Sequence, residues 1–353
     1  MSRVFIKGAV AMAEAAVRAG CRFFAGYPIT PQNDVPEYLA KRLPEVGGVF
    51  VQGESEIASI SMVMGAAAVG TRALTSSSSP GISLKSEGIS TLAGAELPAV
   101  IFNVTRGGPG LGSIQAAQMD YFQATKASGH GGFKMIVYAP WSVQESADLT
   151  YAAFEKAAKY QAPMLVCVDG AVGAMMEAVE LPEMKKDIIN KLRFRTSDVY
   201  NPRRRIISSL IGREEMQQQF NMDKAAMYEL WEREEVRYES FCHEDDELIF
   251  VAYGVSARVC REVIDRLREE GIRAGLIRPV TISPYPYQIF DKLDYKKVRL
   301  VVSVELSIPA QMIEDVRNAV ARRAEVRAIT RSGGVYFTPV DIIRETKRLL
   351  EEK

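Results

Sequence analysis

Histidine and cysteine are scarce in this sequence. His130 and His243 are the only histidines in 353 residues, and the cysteines at 21, 167, 242 and 260 form no C-x-x-C pair. Metal sites and disulfide frameworks both need such ligands at close spacing. A zinc or iron–sulfur site built by this chain alone is therefore not expected, and any electron-carrying cluster belongs on another polypeptide. Net charge is missing too. Lys plus Arg and Asp plus Glu both number 44, so nothing draws the chain to nucleic acid or to an anionic membrane. No apolar run is long enough to span a bilayer. The stretch 8–17 is interrupted by Glu14 and followed by Arg18, with no cleavage pattern of small residues behind it. It reads as an amphipathic helix, and the protein as cytoplasmic. The phosphate-cradling patterns G-x-G-x-x-G and G-x-x-x-x-G-K-[ST] are absent as well.

What is present is a regular alternation. Short runs rich in branched or aromatic residues at 22–25, 49–52, 72–75, 99–104, 135–138 and 164–168 read as strands, separated by longer segments with helical spacing. Ser142 with Glu145 three residues on is a capping-box signature. This pattern predicts an α/β fold with a parallel sheet covered on both faces. Residues 183–246 break the rhythm. They are charged, include Arg203-Arg204-Arg205, and carry a polar helical run over 214–238. They read as a connector that wraps over a neighbour. Alternation resumes at Glu247, where Ser256 is expected to cap a helix with Val259, Val263, Ile264 and Leu267 on one face. The expected division is thus 1–182, a connector 183–246, and a smaller α/β domain 247–353.

Three unusual loops follow the predicted strands: Gly26-Tyr27-Pro28-Ile29-Thr30-Pro31, then the serine run through Ser78 to Pro80 and Gly81, then Arg106-Gly107-Gly108-Pro109-Gly110. In open α/β sheets ligands bind beyond the carboxyl ends of the strands. Glu56 opens a helix after the strand 49–52 and shares a face with Ile60, Val63 and Met64. Any carboxylate in a first helical turn complements the helix dipole. Glu56, however, is held against an apolar face, which disfavours its charged form and should raise its pKa. That suits it to share a proton with a ligand. Arg106 can grip a carboxylate through two parallel hydrogen bonds, the glycines after it allowing close approach, or can simply precede a tight turn. Thr30 can donate its hydroxyl to a ligand or cap the following helix.

Taken together, the 26–31 loop, Ser55-Glu56, the Ser-Pro-Gly turn ending at Gly81, Arg106-Gly107-Gly108-Pro109, Ser142 to Glu145, Ala252-Tyr253-Gly254 and Ile277-Arg278-Pro279 resemble the alpha subunits of 2-oxoacid:ferredoxin oxidoreductases. The match runs in order along nearly the whole chain. It implies a thiamine-diphosphate-binding pyrimidine-type domain followed by a transketolase-C-terminal-like domain. It also implies a separate beta subunit carrying the diphosphate and Mg²⁺ half and a [4Fe–4S] cluster, in an enzyme that can include gamma and ferredoxin-like delta subunits. The sequence lacks the Gly-Asp-Gly motif that binds Mg²⁺ in thiamine enzymes; Val168-Asp169-Gly170 is its nearest approach. The resemblance casts Glu56 as the glutamate bonded to the aminopyrimidine ring, favouring the imino form that takes the C2 proton. It casts Arg106 and Thr30 as the residues meeting the 2-oxoacid. Tyr27, Pro28, Ile29, Ser78, Pro80 and Gly81 are cast as cofactor-binding residues. Coenzyme A would take the acyl group and ferredoxin the electrons. Gln311 lacks the glycine that precedes it in relatives, so no role is assigned to it.

The segment 108–123 looks most like that of subunits for branched-chain acids such as 2-oxoisovalerate, with 2-oxoglutarate next. Residues 107–122 hold no Lys or Arg for a distal carboxylate, and Leu111, Ile114, Tyr121 and Phe122 are expected to form an apolar wall. Two other readings stay open: a subunit of a thiamine enzyme that decarboxylates without electron transfer, and a non-catalytic α/β interaction subunit.

Overall fold

The computed structural model describes residues 3–126, 128–186 and 207–352. Its larger sheet runs in the order Thr281–Ser283, Ile136–Tyr138, Met164–Asp169, Val100–Gly107, Ala73–Ser77, Phe23–Gly26, Val49–Gln52. Ser113–Ala116 folds back antiparallel on Val100–Gly107. The strands from Ile136–Tyr138 to Val49–Gln52 are all parallel. They are the strands expected from the sequence, with only their ends moved. Ala73–Ser77, Val100–Gly107 and Met164–Asp169 are buried at every position. Both faces are covered, which is why such strands read as continuous runs rather than as alternation.

One face packs on helices Gly8–Arg18, Asp34–Glu45 and Val143–Tyr160, with Phe24, Leu74, Phe102 and Val166 pointing into that core. The other packs on helices Glu56–Ala68 and Pro80–Gly94, with Ala25, Ala73, Ile101 and Leu165 pointing their way. The smaller sheet runs Tyr238–Phe241, Ala274–Pro279, Leu248–Val251, Leu300–Glu305, Glu325–Thr330. Its last four strands are parallel, and Tyr238–Phe241 is antiparallel at the edge. Ile249, Val251, Ile277, Val301 and Val316 of this second unit join the same apolar cluster as Ile60 and Ile101. After Pro279 the chain passes directly into the larger sheet as Thr281–Ser283, beside Ile136–Tyr138. The two sheets are therefore joined through a shared core.

Four local expectations need correction. Helix Gly8–Arg18 is buried on nearly all sides, only Val10 and Arg18 escaping, so it is not amphipathic. Its alanines let Asp34–Glu45 and Val143–Tyr160 approach closely. Burial works to raise the pKa of Glu14, but hydrogen bonds from Arg42, Arg18 and Tyr38 overcome it and hold the carboxyl below its ordinary value. Second, Ser142 accepts from the Glu145 amide at 3.1 Å, but the Glu145 carboxylate reaches past the cap to the Trp141 amide and to Arg278. Arg278 is fully buried, holding Glu145 at 2.8 and 2.6 Å and Glu239 at 2.9 Å. It ties a helix of the first unit to the second sheet. Third, Ser256 does not cap its helix. Gly254–Glu269 begins two residues earlier, and the buried Ser256 hydroxyl donates to Gln118. Fourth, the described part of the connector packs on its own chain. Helix Glu214–Glu234 buries Trp231 against Tyr160, Glu235 accepts from Lys156 and Tyr160, and Lys224 meets Glu96. Arg203, Arg204 and Arg205 lie outside the described residues.

Candidate active site

Four adjacent parallel strands, Val100–Gly107, Ala73–Ser77, Phe23–Gly26 and Val49–Gln52, end on the same edge of the larger sheet. Every loop singled out in the sequence leaves from that edge. Glu56 is the first residue of helix Glu56–Ala68, whose N-cap Ser55 accepts from the Ala58 amide at 3.2 Å. Its side chain is on the buried face with Ile60 and Val63, and the residue is only 6% exposed; Glu54 is exposed. No other described residue donates a hydrogen bond to the Glu56 carboxyl.

The nearest neighbour of that carboxyl is an absence of side chain. A methyl group at Gly81 would lie 2.8 Å from Glu56 Oε1 and 2.0 Å from Ser77 Oγ. Gly81 is glycine for the space it leaves. The Ser77 hydroxyl beside it and the Ser78 hydroxyl are both buried with no hydrogen-bond partner among the described residues. The next serine is strained: Ser79 has φ +33°, a backbone region that costs a non-glycine residue roughly 1–3 kcal/mol. Three bonds hold it there. Its amide donates to Asn103 at 3.0 Å, its hydroxyl donates to Asp120 at 2.6 Å, and it accepts from the Arg106 amide at 3.0 Å. Asn103 donates to the same Asp120 oxygen. Burial raises the Asp120 pKa, against the pull of the bonds from Ser79 and Asn103. The serine run is thus an ordered loop.

Arg106 ties two loops together. Its Nη1 donates to the Thr30 carbonyl at 2.8 Å and its Nη2 to the Leu111 carbonyl at 3.2 Å, while Nε is buried with no partner. The guanidinium is thereby fixed with a donor in reserve. Thr30 takes part through its carbonyl; its hydroxyl bonds no described residue, and it caps no helix, since Asp34–Glu45 starts after Asn33. Tyr27 and Pro28 are exposed at the rim and Ile29 is half-buried. Behind them the buried Gln32 accepts from Ser76 and donates to the Tyr27 carbonyl. The structure therefore links Glu56, Ser77, Gly81, Ser79, Arg106 and Thr30 in one continuous set of contacts.

Some expected residues are engaged elsewhere. Tyr121 is buried and donates to Asp315 at 2.7 Å, facing the second unit rather than the rim. Phe122 is half-buried, its amide held by Gln311. Only Leu111, 81% exposed, and Ile114 stand on the open hairpin. Gln311 also donates to the Met119 carbonyl at 2.7 Å, so it clasps the 119–122 turn to the second unit. Asp169 gives one oxygen to the Val172 amide at 3.0 Å and the other to the Val255 amide at 2.8 Å, capping a helix on each side. Sequence reasoning missed Asn103, Asp120 and Lys85. Lys85 had a signal, since it lies one turn beyond Gly81 on the same helix face.

The family described as "Pyruvate flavodoxin/ferredoxin oxidoreductase, thiamine diP-bdg" matches residues 14–240, and "Pyruvate:ferredoxin oxidoreductase core domain II" matches residues 246–342. Both fall on the fold and edge just described, and they define a thiamine-diphosphate enzyme component. The chain belongs to the 2-oxoacid:ferredoxin oxidoreductases, as a subunit of such an enzyme. It is 41% identical to the ketoisovalerate oxidoreductase subunit VorB of Methanothermobacter marburgensis, over 100% of this chain and 99% of that one. It is 34% identical to the 2-oxoglutarate synthase subunit KorA of Methanocaldococcus jannaschii, covering 96% of this chain and 98% of that one. Among solved structures, the 2-oxoglutarate:ferredoxin oxidoreductase from Magnetococcus marinus, with 2-oxoglutarate, coenzyme A and succinyl-CoA bound, superposes with a TM-score of 0.85 at 26% identity. That match covers 98% of this chain and 65% of the other. An inactive split-gene transketolase tetramer shares the fold, with a TM-score of 0.59 at 14% identity.

Proposed function

We propose that this sheet edge is the pyrimidine half of a shared thiamine-diphosphate site, and that the complex this chain forms with its partner subunits oxidises a branched-chain 2-oxoacid such as 2-oxoisovalerate to its acyl-CoA. One observation carries the reading: Glu56, only 6% exposed and accepting no hydrogen bond from any described residue, faces an opening that Gly81 keeps clear and that the Ser77 hydroxyl, unpartnered among the described residues, lines. Buried polar groups without partners are costly, so such a set suits a ligand that completes it. A flat heterocycle with a ring nitrogen and an amino group does so. When bound, the cofactor supplies the electron sink for decarboxylation. Glu56 is the acceptor for a proton shared with the ring nitrogen. Arg106, fixed by two carbonyls, offers its spare Nε–H to the oxoacid carboxylate, with Thr30 beside it at the rim. Tyr27, Pro28, Ile29, Ser78, Pro80 and Gly81 shape the ring's seat.

Asp169 does not serve as a metal ligand in this arrangement, because both of its oxygens already cap helices. Among the described residues no group of His, Cys, Asp and Glu converges as metal ligands would, and no helix is long and apolar enough to cross a membrane. Residues 1–182 and 247–353 then act as the pyrimidine-binding and transketolase-C-terminal-like parts. A beta partner brings Mg²⁺, the diphosphate half and a [4Fe–4S] cluster, gamma and ferredoxin-like delta subunits complete the assembly, and ferredoxin takes the electrons. On this reading the partner sits against helix Glu56–Ala68, which carries no charge after Glu56 and exposes Ile57 and Met62. Exposed apolar side chains of this kind suit an interface.

The branched-chain reading rests on the absence of Lys or Arg from 107–122, the exposed Leu111 and Ile114, and the closer similarity to VorB than to KorA. A comparison of kcat/KM on the native complex tests it. 2-Oxoisovalerate should lead, with related acyl chains following within the factor of about 10–200 that a methylene is worth. A preference for 2-oxoglutarate would refute the substrate assignment.

A further inference from the structure

Lys85 is among the largest fully buried side chains, with no exposed surface. Its Nζ donates to Thr75 Oγ1 at 2.8 Å, and Thr75 in turn donates to the Ala25 carbonyl at 2.7 Å. Among the described residues it forms no ion pair. An ammonium has three donors, and burying one with a single neutral partner is costly. A lysine kept there needs a reason other than packing.

The geometry supplies one. Lys85 lies four residues after Gly81 on helix Pro80–Gly94, so the two share a face. Thr75 and Ser77 alternate onto one face of their strand, the face that carries Ala73 toward helices Glu56–Ala68 and Pro80–Gly94. Lys85 therefore lies one helical turn behind the opening at Gly81, across which Glu56 Oε1 and Ser77 Oγ face each other. Burial lowers the Lys85 pKa to about 8, and the charge of Glu56 acts against that fall. Other ionisable groups nearby are few. Glu54 and Glu87 are exposed, Asp120 is bonded to Ser79 and Asn103, and Arg106 to Thr30 and Leu111. Helix Glu56–Ala68 and strands Phe23–Gly26 and Ala73–Ser77 carry no ionisable side chain besides Glu56.

We propose that Lys85 is a positioning residue of this site: its ammonium, anchored on Thr75 behind Gly81, holds Glu56 as a carboxylate directed at the ligand's ring nitrogen. This rests on the reading of Glu56 given above. The opposing demands on Glu56 are then met separately. Its apolar face excludes water, and Lys85 supplies the single compensating charge.

The test uses the native complex reconstituted with wild-type chain, Lys85→Met, Lys85→Arg and Glu56→Gln. The readouts are the pH dependence of deuterium exchange at C2 of bound thiamine diphosphate and of equilibrium thiamine diphosphate binding. Lys85→Met removes the cation, so the acid limb of both profiles should move to higher pH by about one unit or more, as expected for loss of a nearby opposite charge. Lys85→Arg keeps the charge and should leave the limb near its wild-type position. Lys85→Met should have no effect on the limb in a Glu56→Gln background, since the two act as a unit. An unchanged acid limb in Lys85→Met overturns the proposal. So does a Lys85→Met chain that fails to fold or assemble, because that marks the lysine as structural. If Glu56→Gln itself changes neither readout, the reading of the site fails, not merely the role of Lys85.

Discussion

A single methyl group decides whether the opening at Gly81 exists. With Ser77 Oγ 2.0 Å and Glu56 Oε1 2.8 Å from where it would sit, Gly81→Ala must push one of them aside or fill the space intended for the ligand. Overpacking costs roughly 1–3 kcal/mol, so thiamine diphosphate affinity of the assembled complex should fall roughly 5- to 150-fold, read by isothermal titration. Unchanged affinity would show that the ring does not sit there. Arg106→Lys tests a different contact. Lysine keeps the charge but lacks the planar fork that spans Thr30, Leu111 and a ligand carboxylate. Loss of a hydrogen bond to a charged group costs about 1.5–3 kcal/mol, so kcat/KM for the oxoacid should fall roughly 10- to 150-fold, with thiamine diphosphate binding retained. At this scale the sequence was partly legible. The burial of Glu56 was legible through the apolar residues at helical spacing behind it. Asn103 and Asp120 stayed hidden because they depend on contacts between distant strands and loops, such as Ser79 to Asp120, which no local pattern encodes.

Elements were the easiest scale to read, and for a physical reason. The parallel strands are buried on both faces, so each is a compact apolar run bounded by Gly, Pro or Ser, and the helices between them carry periodic apolar faces. The readings that failed involved ends and partners. Ser256 looked like a cap but lies inside the helix as a hydrogen-bond donor to Gln118. The connector reads as wrapping over a neighbour, and its helix seats Trp231 against Tyr160 of its own chain. Helix Glu56–Ala68 makes the clearest prediction at this scale. Ile57, 57% exposed, faces away from its own chain. Ile57→Glu together with Met62→Glu should change the isolated chain's stability by no more than about 0.5 kcal/mol per site, as surface changes do, yet abolish assembly with the beta partner in gel filtration. A double variant that assembles normally would move the interface elsewhere.

At the scale of the whole molecule the two main sheets of the described residues are joined by a shared core, with Arg278 and Gln311 fastening one unit to the other. That rigidity places the sheet edge of Glu56 and Arg106 as one preformed surface rather than as loops awaiting order. On the reading proposed above the surface is half a site, with Glu56 as the proton-sharing carboxylate and Arg106 as the oxoacid clamp, and a partner holds the metal-bound diphosphate. On that reading the chain is necessary for chemistry and insufficient for it. Viologen reduction dependent on 2-oxoacid and coenzyme A, measured on the isolated chain and on the complex rebuilt with its partner subunits, tests this most directly. The isolated chain should show no activity and the rebuilt complex full activity. A complex containing Glu56→Gln should assemble and bind thiamine diphosphate but turn over roughly 10²- to 10⁴-fold more slowly, the usual contribution of a group that moves a proton in the reaction. Activity in the isolated chain, or a Glu56→Gln complex as fast as wild type, would contradict it.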